Sequence, residues 1–256
     1  MRRRSSGVLR GVVRFRAAFV GAVLLALAGC GRGRATATET VQVGHHRVRF
    51  SSPRGWEHLD HGREQLFRNG ETELRLEDLG AATPPALARE IAAARATWLA
   101  GRRRDAIARM REIDGLPLAF LPSQARADFW RPWTDVAYAP DVTDSAALGA
   151  AFAAMHDGAA ALPALTTDQL VESVLERRDD AARREIDRRD TVAVHGASWL
   201  AIETWSRVSH LDRRRVAFVV HDGDLLQLTT ERGLPEATLG AFDSLLATIE
   251  LLPAAR

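Results

Sequence analysis

The sequence predicts an α+β sandwich with a mainly antiparallel sheet. Three observations support this fold class: strand-like alternation with a hairpin signal near the start of the folded part, helical periodicity in the middle, and three strand patterns followed by an amphipathic helix at the end. The chain has 256 residues, which is ample for one domain whose core needs no disulfide.

The first strands are predicted from alternation and from one turn signal. Residues 41–50 alternate imperfectly between apolar and polar side chains and therefore predict a strand. Further on, residues 64–68 and 71–77 flank Asn69 and Gly70, which suit a type I′ turn because both residue types tolerate a positive φ. This pattern predicts a β-hairpin.

Residues from about 81 to 189 are rich in helical signals. Thr83 is a good N-cap for a helix that begins at Pro84, and apolar residues then recur at helical spacing as far as Trp98.

Two more helices are predicted at 144–156 and 168–189, and a capping box at Thr166–Gln169 opens the second. Between the helices, residues 115–140 contain four prolines and are expected to be irregular, with a short strand near 116–120.

The C-terminal third predicts a three-stranded antiparallel meander with a helix packed on it. The expected strands are Trp199–Ser209, Arg214–His221 and Leu225–Thr230, and Asp222–Gly223 suits a tight turn between the last two. Pro235 starts a helix with one apolar face, which is expected to pack on the sheet.

The N-terminal segment has the features of a secretory signal. Six arginines precede a short apolar run at residues 17–28, whereas a transmembrane helix needs ~20 apolar residues. The run leads into Leu27-Ala28-Gly29-Cys30, which resembles the lipobox of bacterial lipoproteins, and Cys30 is the only cysteine of the chain.

The resemblance implies that residues 1–29 are removed as a signal peptide and that Cys30 carries a lipid, whose acyl chains contribute about 0.8 kcal/mol per buried CH₂ to membrane binding. Residues 30–40 are then a lipidated cysteine with a flexible tether, and residues 41–256 form a single domain. Because Gly31 is not an aspartate, Gram-negative sorting rules imply the outer membrane, facing the periplasm. In a Gram-positive cell the domain would lie outside the cytoplasmic membrane.

Charge argues against nucleic acid as a partner. The sequence has 35 basic residues, all arginine, and 33 acidic residues. Removal of the six signal arginines leaves 29 against 33 acids, a side-chain net charge of −4. A mature chain with this balance lacks the basic surplus that phosphate recognition requires.

The two ends of the domain resemble the Mog1/PsbP-like fold. The corner at Phe50–Trp56 contains Pro-Arg-Gly-Trp, and residues 218–230 followed by a helix match the family's C-terminal end, so the resemblance covers about 41–80 and 190–252. It implies an αβα sandwich that mostly binds other proteins, with no shared catalytic residues. No cofactor is expected. Residues 81–189 depart from the family pattern and are interpreted as a helical insertion.

An enzyme is the alternative, and its best candidates are histidines. The chain has no Gly-x-Ser-x-Gly, phosphate-binding glycine loop or His-Glu-x-x-His motif. His58 and His61 lie near acids and suit a zinc site. His45 and His46 are adjacent, so a strand would point them to opposite faces and at most one would join such a site.

An aromatic cluster is the candidate partner-binding surface. It consists of Phe129, Trp130, Arg131, Trp133 and Tyr138, and interface hot spots are enriched in Trp, Tyr and Arg. The same rings also fit a packed core, because most tryptophans are largely buried.

The sequence therefore predicts a membrane-anchored, non-enzymatic envelope lipoprotein that binds another envelope protein or a small ligand. A metal-binding protein or metal-dependent hydrolase using His58 and His61 is the alternative.

Overall fold

The computed structural model describes most of the chain beyond residue 37; the described ranges are 38–113, 116–119, 121–137, 145–177, 183–208, 212–230 and 236–253. Within these ranges the strands are β1 (Thr38–Val43), β2 (His46–Ser51), β3 (Glu57–Asp60), β4 (Glu64–Asn69), β5 (Thr72–Ala81), β6 (Arg184–Val194), β7 (Ala197–Ser206), β8 (Arg213–His221), β9 (Asp224–Thr230) and β10 (Glu250–Leu252). The helices are α1 (Pro84–Leu99), α2 (Arg103–Glu112), α3 (Leu116–Ala119), α4 (Ser123–Ala137), α5 (Ser145–Ala160), α6 (Thr167–Glu176) and α7 (Glu236–Leu246).

The centre of the fold is a seven-stranded sheet in the order β3-β4-β5-β9-β8-β7-β6, in which neighbouring strands are antiparallel. A second sheet has the order β1-β2-β10 and is also antiparallel. The predicted α+β class with a mainly antiparallel sheet is confirmed.

Both faces of the large sheet are covered, and the alternation of β8 shows how. Ala217 and Val219 pack with residues of β1, β2 and α7 on one face. Val216 and Phe218 point the other way, toward residues of α3 and α6. The large sheet is therefore buried between two layers: the small sheet with α7 on one face, and helices on the other.

The remaining helices form their own apolar cluster beside the sheet. Residues of α1, α2, α4 and α5 supply it, including Leu87, Ile91, Met110, Trp133 and Phe152, all buried. The predicted N-cap of α1 is confirmed, because the Thr83 hydroxyl accepts the backbone N–H of Ala86.

The predicted hairpin is confirmed, but its turn is one residue further along. Asn69 pairs with Thr72 as the last residue of β4, so Gly70 and Glu71 are the central turn residues. Of these two, Gly70 has a positive φ of 62° and Glu71 does not. A type I′ turn needs positive φ at both positions, so that prediction was wrong.

Two predictions between residues 115 and 140 were wrong. The expected strand near 116–120 is the short helix α3. Most of the supposedly irregular stretch is α4, which contains Pro132 within it. A proline in a helix removes one backbone hydrogen bond, and here the burial of Trp133 in the helical cluster offsets that loss.

The helix predicted at 168–189 ends at Glu176. Its capping box is confirmed, since Thr166 and Gln169 bond each other's backbone N–H. Residues 184–194 instead form β6, which pairs with β7 and extends the meander to four strands. Residues 185–189 are exposed, and their charges suit an edge strand, where charged side chains stay solvated.

The first strand, β1, starts at Thr38, within the stretch of residues 30–40 that was predicted to be a tether. The lipobox and Cys30 lie outside the described residues. Within the described part, none of the helices combines the length and the apolar character needed to cross a membrane.

Candidate functional site

Two hairpin turns meet at one end of the sheets. The β1–β2 turn is formed by Gly44 and His45, and the Gly44 N–H donates to the Gly62 carbonyl at 3.1 Å. The β8–β9 turn is Asp222–Gly223, with φ of 50° and 92°, which confirms the predicted tight turn. These turns bring together side chains that are far apart in the sequence.

The side chains at this junction form what we call the His–Asp cluster: His45, His46, Asp78, His221, Asp222 and Asp224. The Oδ2 atom of Asp224 lies 2.6 Å from Nε2 of His45 and 3.0 Å from Nε2 of His46. The side chains of His46 and Asp224 are 1% and 2% exposed, whereas that of His45 is 51% exposed. The cluster therefore has a buried interior and one open side.

The expectation that His45 and His46 point in opposite directions was wrong. It assumed that both lie in a strand, but His45 is in the turn and only His46 belongs to β2. Their ring centroids lie 4.1 Å apart, and both rings contact the same carboxylate. A turn can converge neighbouring side chains where a strand cannot.

Asp78 joins the cluster through an irregularity in β5. The pairing of β5 with β9 shifts between Asp78 and Ala81, and Gly80 there has a φ of 91°. The Gly80 N–H donates to Oδ1 of Asp78 at 2.8 Å, and a guanidinium nitrogen of Arg63 lies 3.5 Å from Oδ2. Such bulges re-aim a side chain, and this one leaves the Asp78 carboxylate buried against Gly44.

A separate groove, here called the α7 groove, lies between α7 and strands β6 and β7, with a volume of about 520 Å³. Val192 and Phe242 contribute apolar surface to it. Arg215 lines it and donates to Asp243 at 2.6 Å and to Glu203 at 3.0 Å. Burial alone would lower the pKa of Arg215, but these bonds outweigh it and raise that pKa.

His58, one of the two predicted metal ligands, has hydrogen-bond partners at both ring nitrogens. Nδ1 of His58 lies 2.8 Å from Oε2 of Glu39, and Nε2 lies 2.8 Å from Oε1 of Gln65. Both nitrogens of that ring thus already have partners. Among the described residues, the groups of three or more potential ligands within 4.8 Å of one another do not include His58 or His61. The site remains a prediction that these contacts do not favour.

Asp60, the last residue of β3, lies two positions after His58 and accepts two hydrogen bonds. The backbone N–H of Gly62 and the side-chain amide of Gln65 both donate to Oδ1 of Asp60, at 2.8 Å each. These two bonds hold the pKa of Asp60 below its usual range, and the bond from Gly62 has the larger effect.

Three of the four predicted partner-binding aromatics, Phe129, Trp130 and Trp133, lie in α4 and not in an irregular stretch. Trp133 is 3% exposed and its ring centroid lies 5.2 Å from that of Phe152, so the ring belongs to the helical cluster. Phe129 and Trp130 are partly buried against the same cluster and contact each other edge to face. The remaining two are Arg131, which is exposed beside Asp128 on α4, and Tyr138, which lies outside the described residues.

No family model matches the chain, and no curated protein matches its sequence. Among solved structures it is similar to the solution structure of the cyanobacterial PsbP protein (CyanoP) from Synechocystis sp. PCC 6803, with a TM-score of 0.40 and 11% sequence identity over 87% of this chain and 97% of that chain. A likeness of this degree carries no information about function.

Sequence reasoning missed Asp78 and Asp224 as members of one site with His46. His46 and Asp224 are 178 positions apart, and no motif joins them. The sequence does contain one signal for this site. His45-His46 follows a glycine and His221-Asp222 precedes another, and both pairs lie at hairpin turns.

Proposed function

We propose that this chain is a lipid-anchored protein of the cell envelope whose folded domain binds another envelope protein or a small ligand without catalysing a reaction. The observation that carries the proposal is the lipobox Leu27-Ala28-Gly29-Cys30, placed after six arginines and an apolar run. A single cysteine at this position has an evident use as the lipid attachment point.

The short linker supports an anchored domain. Residues 31–37 separate Cys30 from the first strand at Thr38. Seven residues span at most ~25 Å when fully extended. A lipid on Cys30 would therefore keep the domain close to the membrane surface, where its partner is expected to be an envelope component.

The α7 groove supports a binding role. Its volume of about 520 Å³ falls within the range of ~300–1,000 Å³ that is usual for small-ligand sites. Its lining combines apolar surface from Phe242 with charges of both signs from Arg215 and Asp243. A groove of this composition suits a ligand or peptide segment that has both apolar and charged groups.

Anchoring is tested first by replacing the cysteine. Cells expressing the native chain or Cys30→Ser are labelled with a clickable fatty acid and fractionated. We expect the native chain in the membrane fraction with label, and the variant unlabelled and uncleaved. A native chain that carries no label, or that keeps residues 1–29, would refute the lipoprotein proposal.

Binding is tested by photo-crosslinking in cells from two exposed alanines. Ala193 lines the α7 groove, and Ala153 lies on α5, away from it. We expect one dominant adduct from Ala193 and none from Ala153. A third probe at Trp130 tests the aromatic surface, and an adduct from Trp130 alone would move the binding surface to α4.

A further inference from the structure

The interior of the His–Asp cluster holds a carboxylate without a permanent cation. The ion-pair partners of Asp224 within the described part of the chain are His45 and His46. An imidazole is a conditional counter-charge, because it is positive only when protonated. A buried carboxylate is costly unless a cation or hydrogen bonds compensate it. A bound cation at this point would supply that compensation.

Asp78 adds a second buried carboxylate whose pairing is weak. Its side chain is 3% exposed, and the nearest guanidinium nitrogen, on Arg63, lies 3.5 Å from Oδ2. The Arg63 side chain is 56% exposed, so solvent competes for it. The Gly80 N–H donates to Oδ1 of Asp78, so Oδ2 is the oxygen that can bind a metal ion.

These groups lie close enough together to share one ion. His45, His46 and Asp78 each offer one ligand atom, and the three atoms lie within 4.8 Å of one another. A tetrahedral zinc ion with bonds of ~2.0–2.1 Å places its ligand atoms about 3.4 Å apart. The ligand atoms would therefore move closer together when zinc binds. His45 can make most of this movement, because it lies in a turn and its ring is half exposed.

We propose that His45, His46 and Asp78 bind a divalent transition-metal ion, for which zinc is the best match, and that Asp224 orients the two imidazoles. Nitrogen and carboxylate ligands without thiolate suit zinc and its neighbours. A carboxylate that contacts metal-binding histidines is the usual outer partner in such sites. The open side at His45 gives the ion a route in.

A second group of ligands shares His46 and is less suited to the ion. It consists of His46, His221 and Asp222. Nε2 of His221 is buried without a hydrogen-bond partner and lies 3.6 Å from Oδ2 of Asp222. The Asp222 side chain is 53% exposed, so water already solvates its charge and a metal ion relieves less desolvation there.

The test measures zinc binding by the full mature chain in detergent, purified without a polyhistidine tag and stripped with a chelator. The chain is reloaded with zinc chloride, zinc content is measured by mass spectrometry, and affinity is measured against a chromogenic chelator. The ligand variants are His45→Ala and Asp78→Asn. The asparagine keeps an oxygen that can accept the Gly80 N–H. His46 is not replaced because its burial makes unfolding the expected result.

His156→Ala is the matched control, since His156 is also about half exposed and lies beside a carboxylate, that of Asp157. We expect one zinc per native chain, affinity lower by roughly tenfold or more in both ligand variants, and no change in the control. The visible absorption of bound Co²⁺ should change in the ligand variants alone.

Three results would overturn the proposal: no stoichiometric zinc in the native chain, equal affinity in His45→Ala and the native chain, or loss of zinc in His221→Gln with retention in His45→Ala. Loss on His61→Ala instead would assign the metal to the His58/His61 alternative. Metal binding requires no lipid, so its failure leaves the anchoring experiment unaffected. Circular dichroism of each variant establishes that it is folded.

Discussion

Nε2 of His46 lies 3.0 Å from Oδ2 of Asp224, and both side chains are almost completely buried. The pair joins the small sheet, through the first residue of β2, to the large sheet, through the first residue of β9. A polar contact in this position stabilises the junction of the two sheets, and it also sets the direction in which the imidazole points.

Removal of the carboxylate is expected to destabilise the fold. In Asp224→Ala the buried His46 imidazole loses its partner, which costs about 1–3 kcal/mol of unfolding free energy. Asp157→Ala removes the corresponding contact of the exposed His156 and should cost less than ~0.5 kcal/mol. Urea unfolding of the metal-free chains measures both, and equal losses would show that burial of the His46 pair contributes nothing.

Gly44 is expected to be essential for the turn beside Asp78. It has a φ of 63°, and a Cβ there would collide with the Asp78 carboxylate. Gly70 has a φ of 62°, but a Cβ there would meet open space. Both alanine variants pay ~1–2 kcal/mol for the left-handed backbone. Gly44→Ala should lose about 1–3 kcal/mol more because of the collision, and thermal unfolding of the two variants isolates that difference.

Local patterns predicted the elements whose local and tertiary preferences agree. The hairpin around Gly70, the N-cap at Thr83 and the last three strands of the meander each have a short-range signal, and the structure contains all of them. Residues 184–189 belong to the helix predicted over 168–189, whose local signal is the capping box at its start, but they form part of β6. The choice between helix and strand was decided by pairing with β7, which no local pattern encodes.

The candidate site was less predictable than the fold. The single strand predicted over residues 41–50 separates His45 from His46, but the structure places His45 in a turn, where its side chain can converge with that of His46. Asp78 enters the cluster through a bulge, which has no reliable sequence signature. Asp224 directly follows the predicted Asp222–Gly223 turn, and nothing in the sequence links it to His46. Only the three-dimensional meeting of two hairpins shows that these residues share a site.

Trp133→Ala is expected to destabilise the helical cluster strongly. The ring is buried against Phe152, so its removal leaves a cavity that costs about 3–5 kcal/mol. Trp130→Ala should cost clearly less, because that ring is only partly buried. Urea unfolding compares the two. If Trp133→Ala lost less than ~1 kcal/mol, the ring would not be core, and the aromatic docking surface would regain support.

The stability contributed by Asp60 is expected to disappear in acid. Its folded pKa lies below the ordinary value of about 3.9, chiefly because of the Gly62 N–H and then the Gln65 amide. At pH values between the folded and the unfolded pKa, the folded state therefore binds fewer protons than the unfolded state. The ionised carboxylate thus stabilises the fold above about pH 4. That stabilisation is lost as the pH falls through the folded pKa.

The unfolding free energies of the native chain and Asp60→Asn should differ at pH 7 and converge below about pH 4. The difference at pH 7 should be small, because solvent screens this exposed group. Chemical denaturation at several pH values measures the gap, and a gap that stays constant down to pH 3 would contradict this role for Asp60.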